Sequence, residues 1–142
     1  MDDNKMNFHY KVDGEDFSVA GEVSSSVKKM LRQLGVAPEV LRRVAIAMYE
    51  GEINMVIHAN GGVIDVEVSP DSIRFVLDDN GPGIPDIGLA MQEGYSTATE
   101  DIRTLGFGAG MGLPNMKKYT DEFHISSQVG KGTRVEMVVN IN

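Results

Sequence analysis

A two-layer α/β sandwich, with a mostly antiparallel, mixed sheet covered by helices on one face, is the fold this sequence predicts. Two observations carry it. Segments that alternate apolar and polar residues recur at 6–12, 63–68, 73–78, 123–129 and 133–141, while two stretches between 21 and 62 place apolar residues at helical spacing. Their order, β-β-α-α-β-β-loop-α-β-β, belongs to the α+β class rather than to an alternating parallel fold. At 142 residues the chain suffices for one domain with a substantial core, and residues 1–142 are read as a single domain.

The elements follow in order. "MNFHYKV" and "GEDFSVA", joined by Asp13-Gly14, read as a hairpin. In "GEVSSSVKKMLRQLGV", Val23, Val27, Met30, Leu31 and Leu34 mark one helical face and Gly35 ends it. A second helix of about 20 residues begins at Pro38 and stops at Asn60-Gly61-Gly62. "VIDVEV" and "IRFVLD" form an antiparallel pair across "SPDS". From 81 to about 111 the pattern fails: seven glycines, two prolines and a Ser/Thr cluster leave room for one short helix around "IGLAMQEG". A loop this long in a small domain is read as functional. "LPNMKKYTDEF" is then a helix, "FHISSQV" a strand, "GKGT" a turn and "TRVEMVVNI" a strand.

Composition narrows the function. A net charge of −8 argues against direct nucleic-acid binding and against an anionic membrane surface, yet permits a phosphorylated ligand held by backbone N–H groups. The absence of cysteine excludes disulfides, thiolate catalysis and zinc–cysteine sites. The opening "MDDNKMNFHY" has no signal-peptide character, and the longest apolar run, "VAIAMY", is too short to span a bilayer, so a cytoplasmic protein is expected.

Three features carry chemistry. On the long helix Arg43, Glu50, Asn54 and His58 share one narrow stripe, with Arg42 and Glu52 placed at its edge. A solvent face would favour Lys, Glu and Gln, whereas this one spends Asn54 and a mid-helix Gly51, each unfavourable there. Glu50 and Asn54, one turn apart, offer a carboxylate and an amide oxygen of the kind Mg²⁺ accepts. Second, "LDDNGPGIPD" places acids at a strand's end and follows them with Asn-Gly-Pro-Gly. Third, "GFGAGMGL" sets glycines at 106, 108, 110 and 112 before a helix whose N-terminus could face a phosphate. It is no dinucleotide fingerprint, since Met111 stands where glycine is needed, and "VGKGT" is no Walker loop, since Ile125 does.

Four segments, "EGEIN", "DNGPGI", "GFGAGMGL" and "GKGT", occur in the order and spacing of the N, DxGxG, lid and GxGT boxes. Over 40–140 the chain therefore resembles the GHKL ATPases, the Bergerat fold of histidine-kinase catalytic domains and gyrase. Within them it looks like the stand-alone anti-sigma serine/threonine kinases, closest to the switch-kinase branch. The resemblance implies ATP and Mg²⁺ as cofactors, a lid at approximately 86–111, and a STAS-domain protein or a sigma factor as partner. Kinases of this kind are often homodimers.

The resemblance makes Glu50 the general base and Asn54 the Mg²⁺ ligand. Asp79 accepts the adenine amino group, with Gly81, Gly83 and Ile84 beside it. Tyr95, Gly106, Gly108, Gly110, Met111, Gly112 and Leu113 line the nucleotide from the lid, and Thr133 sits by the adenine through a water. Lys117 and Lys118 read as a solvated face, and His58 as a helix-end histidine. The activity implied is phosphorylation of a partner's serine. The alternatives are an ATP-loaded binding module that sequesters its partner, and a detached histidine-kinase catalytic domain.

Overall fold

The computed structural model describes residues 5–13, 21–59, 61–83, 91 and 112–141. Within them the chain runs β1 (Met6–Asp13), α1 (Glu22–Gln33), α2 (Pro38–Ala59), β2 (Gly61–Val68), β3 (Ser72–Asp78), α3 (Gly112–Lys118), β4 (Glu122–Gln128) and β5 (Gly132–Asn140). The strands make one sheet in the order β1-β2-β3-β5-β4. Every described pairing is antiparallel, so the mixed sheet expected from sequence reduces to an antiparallel one here. The partner of β1 is β2, Met6 opposite Val68 through Asp13 opposite Gly61. The second arm of the expected N-terminal hairpin and the short helix around "IGLAMQEG" lie outside the described residues, Met91 apart.

Period-two alternation sorts each strand between two environments. Ile64, Val66, Val68, Ile73, Phe75, Leu77, Val135, Met137 and Val139 are buried beneath the helices. The opposite face is polar and carries ion pairs between neighbouring strands, Arg74 with Glu136 and His9 with Asp65. Both α1 and α3 pack against α2, which itself lies on the sheet. Val23, Val27 and Leu31 of α1 and Val40, Leu41, Val44, Ala47 and Met48 of α2 complete the core. Leu34, expected on the apolar face of α1, is instead its C-cap and is 46% exposed.

Gly51 has a packing role that the sequence left unexplained. A Cβ at this position would stand 2.3 Å from Leu77 Cδ2 and 3.4 Å from Met116 Sδ. Helix α2 therefore approaches β3 and α3 more closely than any larger residue allows, and the weak helix propensity of glycine is offset by that contact.

Glu52 does not sit at an edge. It is 2% exposed, and its carboxylate caps the neighbouring helix. Gly21, the N-cap of α1, adopts φ 96° and has no side chain to close the helix. Glu52 Oε2 accepts the N–H groups of Gly21 (3.0 Å) and Val23 (3.2 Å), and Oε1 accepts Ser24 N–H (2.8 Å) and Ser24 Oγ–H (2.7 Å). A buried anion is costly unless so satisfied, and a helix N-terminus is where charge-assisted bonds and the helix dipole both favour it.

Two stability outcomes follow from these contacts. Gly51→Ala should lower stability by about 1–2 kcal/mol, since forcing a methyl into a packed core outweighs the gain in helix propensity. A urea midpoint equal to or above wild type would show that Leu77 yields instead. Glu52→Ala should cost at least about 3 kcal/mol by orphaning the α1 donors, with Glu52→Gln recovering part of it because one acceptor oxygen remains. Equal midpoints for both variants would deny the capping role.

Candidate functional site

The end of β3 meets the β4–β5 turn, and the backbone does most of the joining. Asp79 N–H donates to Thr133 O at 3.0 Å, extending the β3–β5 ladder by one residue. Asp79 Oδ1 accepts two N–H groups, from Gly81 at 2.9 Å and from Thr133 at 3.1 Å. The first is the local Asx-type bond that makes Asp a turn residue; the second crosses to β5 and fixes the carboxylate's orientation. Gly130 N–H then donates to Pro82 O at 2.8 Å. The two turns lie against each other so closely that side chains are excluded. Gly132, at φ +132°, would place a Cβ 2.0 Å from Asp79 O, and Gly83, at φ +81°, would place one 2.5 Å from Gln128 O. The space that Gly83 leaves open is therefore occupied by the β4–β5 turn.

Helix α2 brings its polar stripe to the same end of the sheet. The spot a Cβ on Gly62 would occupy is 2.5 Å from Met55 Cε and 3.0 Å from Asp79 Cα, so the Met55 side chain of α2 reaches the β3 terminus, and half-buried Asn54 is its neighbour on the helix. Two residues of the stripe find partners on α3 and the segment that follows it. Arg43 pairs with Asp121 at 3.2 Å, and Glu50 is hydrogen-bonded by the side chain of Asn115 on α3. Asp121 also accepts Asn140 N–H at 2.7 Å. That bond, more than Arg43, holds its carboxyl below the ordinary range. Glu50 additionally lines an open groove of about 690 Å³ between α1 and α2, with Ser24, Ser25, Lys28 and Tyr49 along its walls.

Both central acids are half-buried, and burial pushes both upward. For Glu50 desolvation dominates and the Asn115 hydrogen bond opposes it. For Asp79 desolvation again leads, countered by the N–H groups of Gly81 and Thr133, with the charge of Asp78 adding to the rise. Two carboxylates raised by burial at one end of a sheet are what a site for proton transfer or ligand binding would show.

Of the residues expected from sequence, the structure brings Asp79, Gly81 and Thr133 into one hydrogen-bonded unit and sets Glu50 and Asn54 on the adjoining helix. Leu113 is buried in the core beside Met116, so its backbone rather than its side chain is what it can offer a ligand. Gly112 opens α3. Lys117 and Lys118 are exposed, as expected, and Lys118 lies 5.4 Å from the Tyr119 ring centre. Ile84, Tyr95, Gly106, Gly108, Gly110, Met111 and the His58 side chain lie outside the described residues. Sequence reasoning missed Asn115 and Ser127. Asn115 had the same signal that marked Asn54, a poor helix former inside a helix; Ser127, in an alternating strand, had none.

The raised carboxyl of Glu50 makes stability depend on pH. A carboxyl whose value is raised by folding binds its proton more tightly in the folded state, so its contribution favours the fold in acid. That contribution is lost as pH climbs from the ordinary value of 4.5 through the raised one. Glu50→Gln should therefore melt higher than wild type at pH 7 without ligand, and the difference should shrink below that ordinary value. A gain that is independent of pH would refute a burial cost at Glu50.

Comparisons with known proteins identify the family and the fold. The sequence profile described as the histidine kinase-like ATPase domain matches residues 16–139. The chain is 31% identical over 115 residues to the serine/threonine-protein kinase RsbT of Bacillus subtilis, covering 78% of this chain and 80% of that one. It is 32% identical over 138 residues to the anti-sigma F factor of a Thermoanaerobacter species, covering 94% and 90%. Among solved structures, the RsbU and RsbW domains of a Mycobacterium tuberculosis protein superpose with a TM-score of 0.63 at 17% identity. That match covers 94% of this chain and 31% of the longer one, and it bears on the fold alone.

Proposed function

Because the chain belongs to the histidine kinase-like ATPase family, we propose that it is a Mg-ATP-dependent serine/threonine kinase of the partner-switching type, acting on a STAS-domain-like protein. The observation that carries this reading is the Asp79–Thr133 unit. A half-buried carboxylate held from behind through Oδ1 keeps an acceptor available for the exocyclic amino group of adenine. The resemblance to RsbT, named a serine/threonine kinase, supports the same reading.

The residues present fit both cofactors. Asn54 contributes an amide oxygen one turn from the Glu50 carboxylate, a sparse set of hard donors suited to a Mg²⁺ that keeps several waters and phosphate oxygens. Mg-ATP, when bound, supplies the phosphoryl group and neutralises its developing charge. Glu50 takes the proton of the attacking hydroxyl. Its raised affinity for a proton suits a base, and Asn115 fixes its orientation. The α1–α2 groove gives an acceptor segment an open approach to Glu50. The glycine-rich lid at approximately 86–111 is the expected cover for the phosphates. Residues 1–142 act as one nucleotide-binding domain, and the protein works in the cytoplasm; no helix among the described residues is long and apolar enough to cross a membrane.

A second reading has its own support, since several relatives are named anti-sigma F factors. In it the ATP-loaded protein sequesters a partner and Glu50 has no catalytic task. One experiment separates the two. Mg-ATP should raise the melting temperature of wild type and of Glu50→Gln, but not of Asp79→Ala. With γ-labelled ATP and a lysate of the source organism, wild type alone should produce one acid-stable labelled band. A partner retained equally by wild type and Glu50→Gln, without label, would establish the sequestering role. An acid-labile label would instead indicate a phosphohistidine product. A thermal shift that survives Asp79→Ala would end the adenine assignment.

A further inference from the structure

Ala45, Tyr49 and Glu52 follow one another at i, i+4 and i+7, along one face of α2. Ala45 and Tyr49 line the open groove between α1 and α2, with Glu50 beside them. Glu52 is only 2% exposed and lies beneath the groove's surface. Its carboxylate instead holds two residues that do line the groove. It accepts Gly21 N–H at 3.0 Å, and Ser24 N–H and Oγ–H at 2.8 and 2.7 Å, besides Val23 N–H at 3.2 Å. Tyr49 packs on the same junction from the groove side, since a Cβ on Gly21 would stand 3.1 Å from Tyr49 Cε1. A local N-cap side chain ordinarily accepts from one backbone N–H and fixes only its own helix. Here Gly21 supplies no such side chain, and the acceptor comes from another helix. Capping α1 and placing it against α2 are therefore one interaction.

We propose that Glu52 is a positioning residue for the protein substrate: by clasping the first turn of α1 it holds one wall of the groove ready for the serine-bearing segment of the partner, without touching that segment. This rests on the kinase reading of Glu50 and goes beyond it, since it separates capture of the protein substrate from nucleotide binding. A wall that is already ordered spares the complex the entropy of ordering it on binding. Without the clasp that cost falls on the encounter with the partner, so affinity for the partner drops. The chemistry at Glu50 depends on other supports. Asn115 on α3 holds its carboxyl, and the Asp79–Thr133 unit is built from β3, β5 and the turns beside them, away from α1. Loss of Glu52 therefore acts on the concentration of partner needed, more than on the rate once the partner is bound.

The test measures initial rates of labelling of the acid-stable band, with saturating γ-labelled Mg-ATP and a concentration series of desalted lysate from the source organism. Wild type, Glu52→Gln, Glu52→Ala and Ser24→Ala are compared, each at a temperature where its unliganded melting curve shows it folded. Calorimetry gives the Mg-ATP dissociation constant of wild type and the Glu52 variants. Glu52→Gln should bind Mg-ATP within about twofold of wild type, yet need about tenfold more lysate for half-maximal rate, the scale of one hydrogen bond lost from a charged group. Its plateau rate should stay within about twofold. Glu52→Ala should move the half-maximal concentration further in the same direction. Ser24→Ala removes one of the four donors, should move it less, and decides the matter if neither Glu52 variant folds. A purely structural role would lower the plateau and leave the half-maximal concentration unmoved, and that result would overturn the inference. So would a loss of Mg-ATP affinity in Glu52→Gln as large as the loss in labelling. Wild type that labels no band would defeat the kinase reading itself, and this inference with it.

Discussion

Helix α2 can lie as low on the sheet as it does because Gly51 has no side chain, and much of the rest of the structure depends on that contact. The missing Cβ brings α2 against Leu77 on β3 and Met116 on α3. In a core packed as densely as an organic crystal, this height fixes where every other residue of the same turn emerges. Glu50 emerges toward Asn115, Glu52 toward α1 and Ile53 into the core, with half-buried Asn54 on the same turn. Five consecutive residues thus serve the sheet, two neighbouring helices and the candidate site at once. A shift of α2 would disturb all of them together.

Glu52 adds the lateral constraint. Its carboxylate closes the first turn of α1, which has only Gly21 at its own N-cap, and so ties α1 to the turn of α2 that presents Glu50. A buried carboxylate is strongly destabilising without its partners, and the four donors of Gly21, Val23 and Ser24 offset that desolvation cost here. One wall of the groove beside Glu50 is therefore held by the residue two positions further along the same helix.

The candidate site combines this rigid helix with a junction made of backbone. Glycines at 83 and 132 allow the β3 terminus and the β4–β5 turn to touch, and the ladder extends by one bond to hold Asp79. The acids pushed up by burial stand where this support is strongest. That arrangement is expected when a fold sustains an electrostatic cost for the sake of a ligand. On this view the polar stripe of α2 looks ambiguous in sequence because part of it is partnered by protein, Glu50 by Asn115 on α3 and Arg43 by Asp121 just beyond α3.

The sequence alone determined the element types and the motifs. Period-two and helical spacings are local properties, so β2, β3, β4, β5 and the start of α2 at Pro38 were legible, and the order of the motifs named Glu50, Asn54, Asp79 and Thr133 as candidates. The limits of local reading show at particular residues. Periodicity states which face of α2 a residue occupies but not what covers that face, so Glu52 read as an edge residue and Gly51 had no account. Asn115 and Ser127 bond to Glu50 and Thr133, which lie distant or across a turn; a poor helix former inside a helix hints at the first, and no local pattern marks the second. Tertiary structure decided the strand order among the described residues, with β5 inserted between β3 and β4 and β1 paired with β2 across the two intervening helices. The physical reason is that strand pairing, helix capping across elements and close packing are settled by contacts between distant segments, and a local pattern constrains these only by being compatible with them.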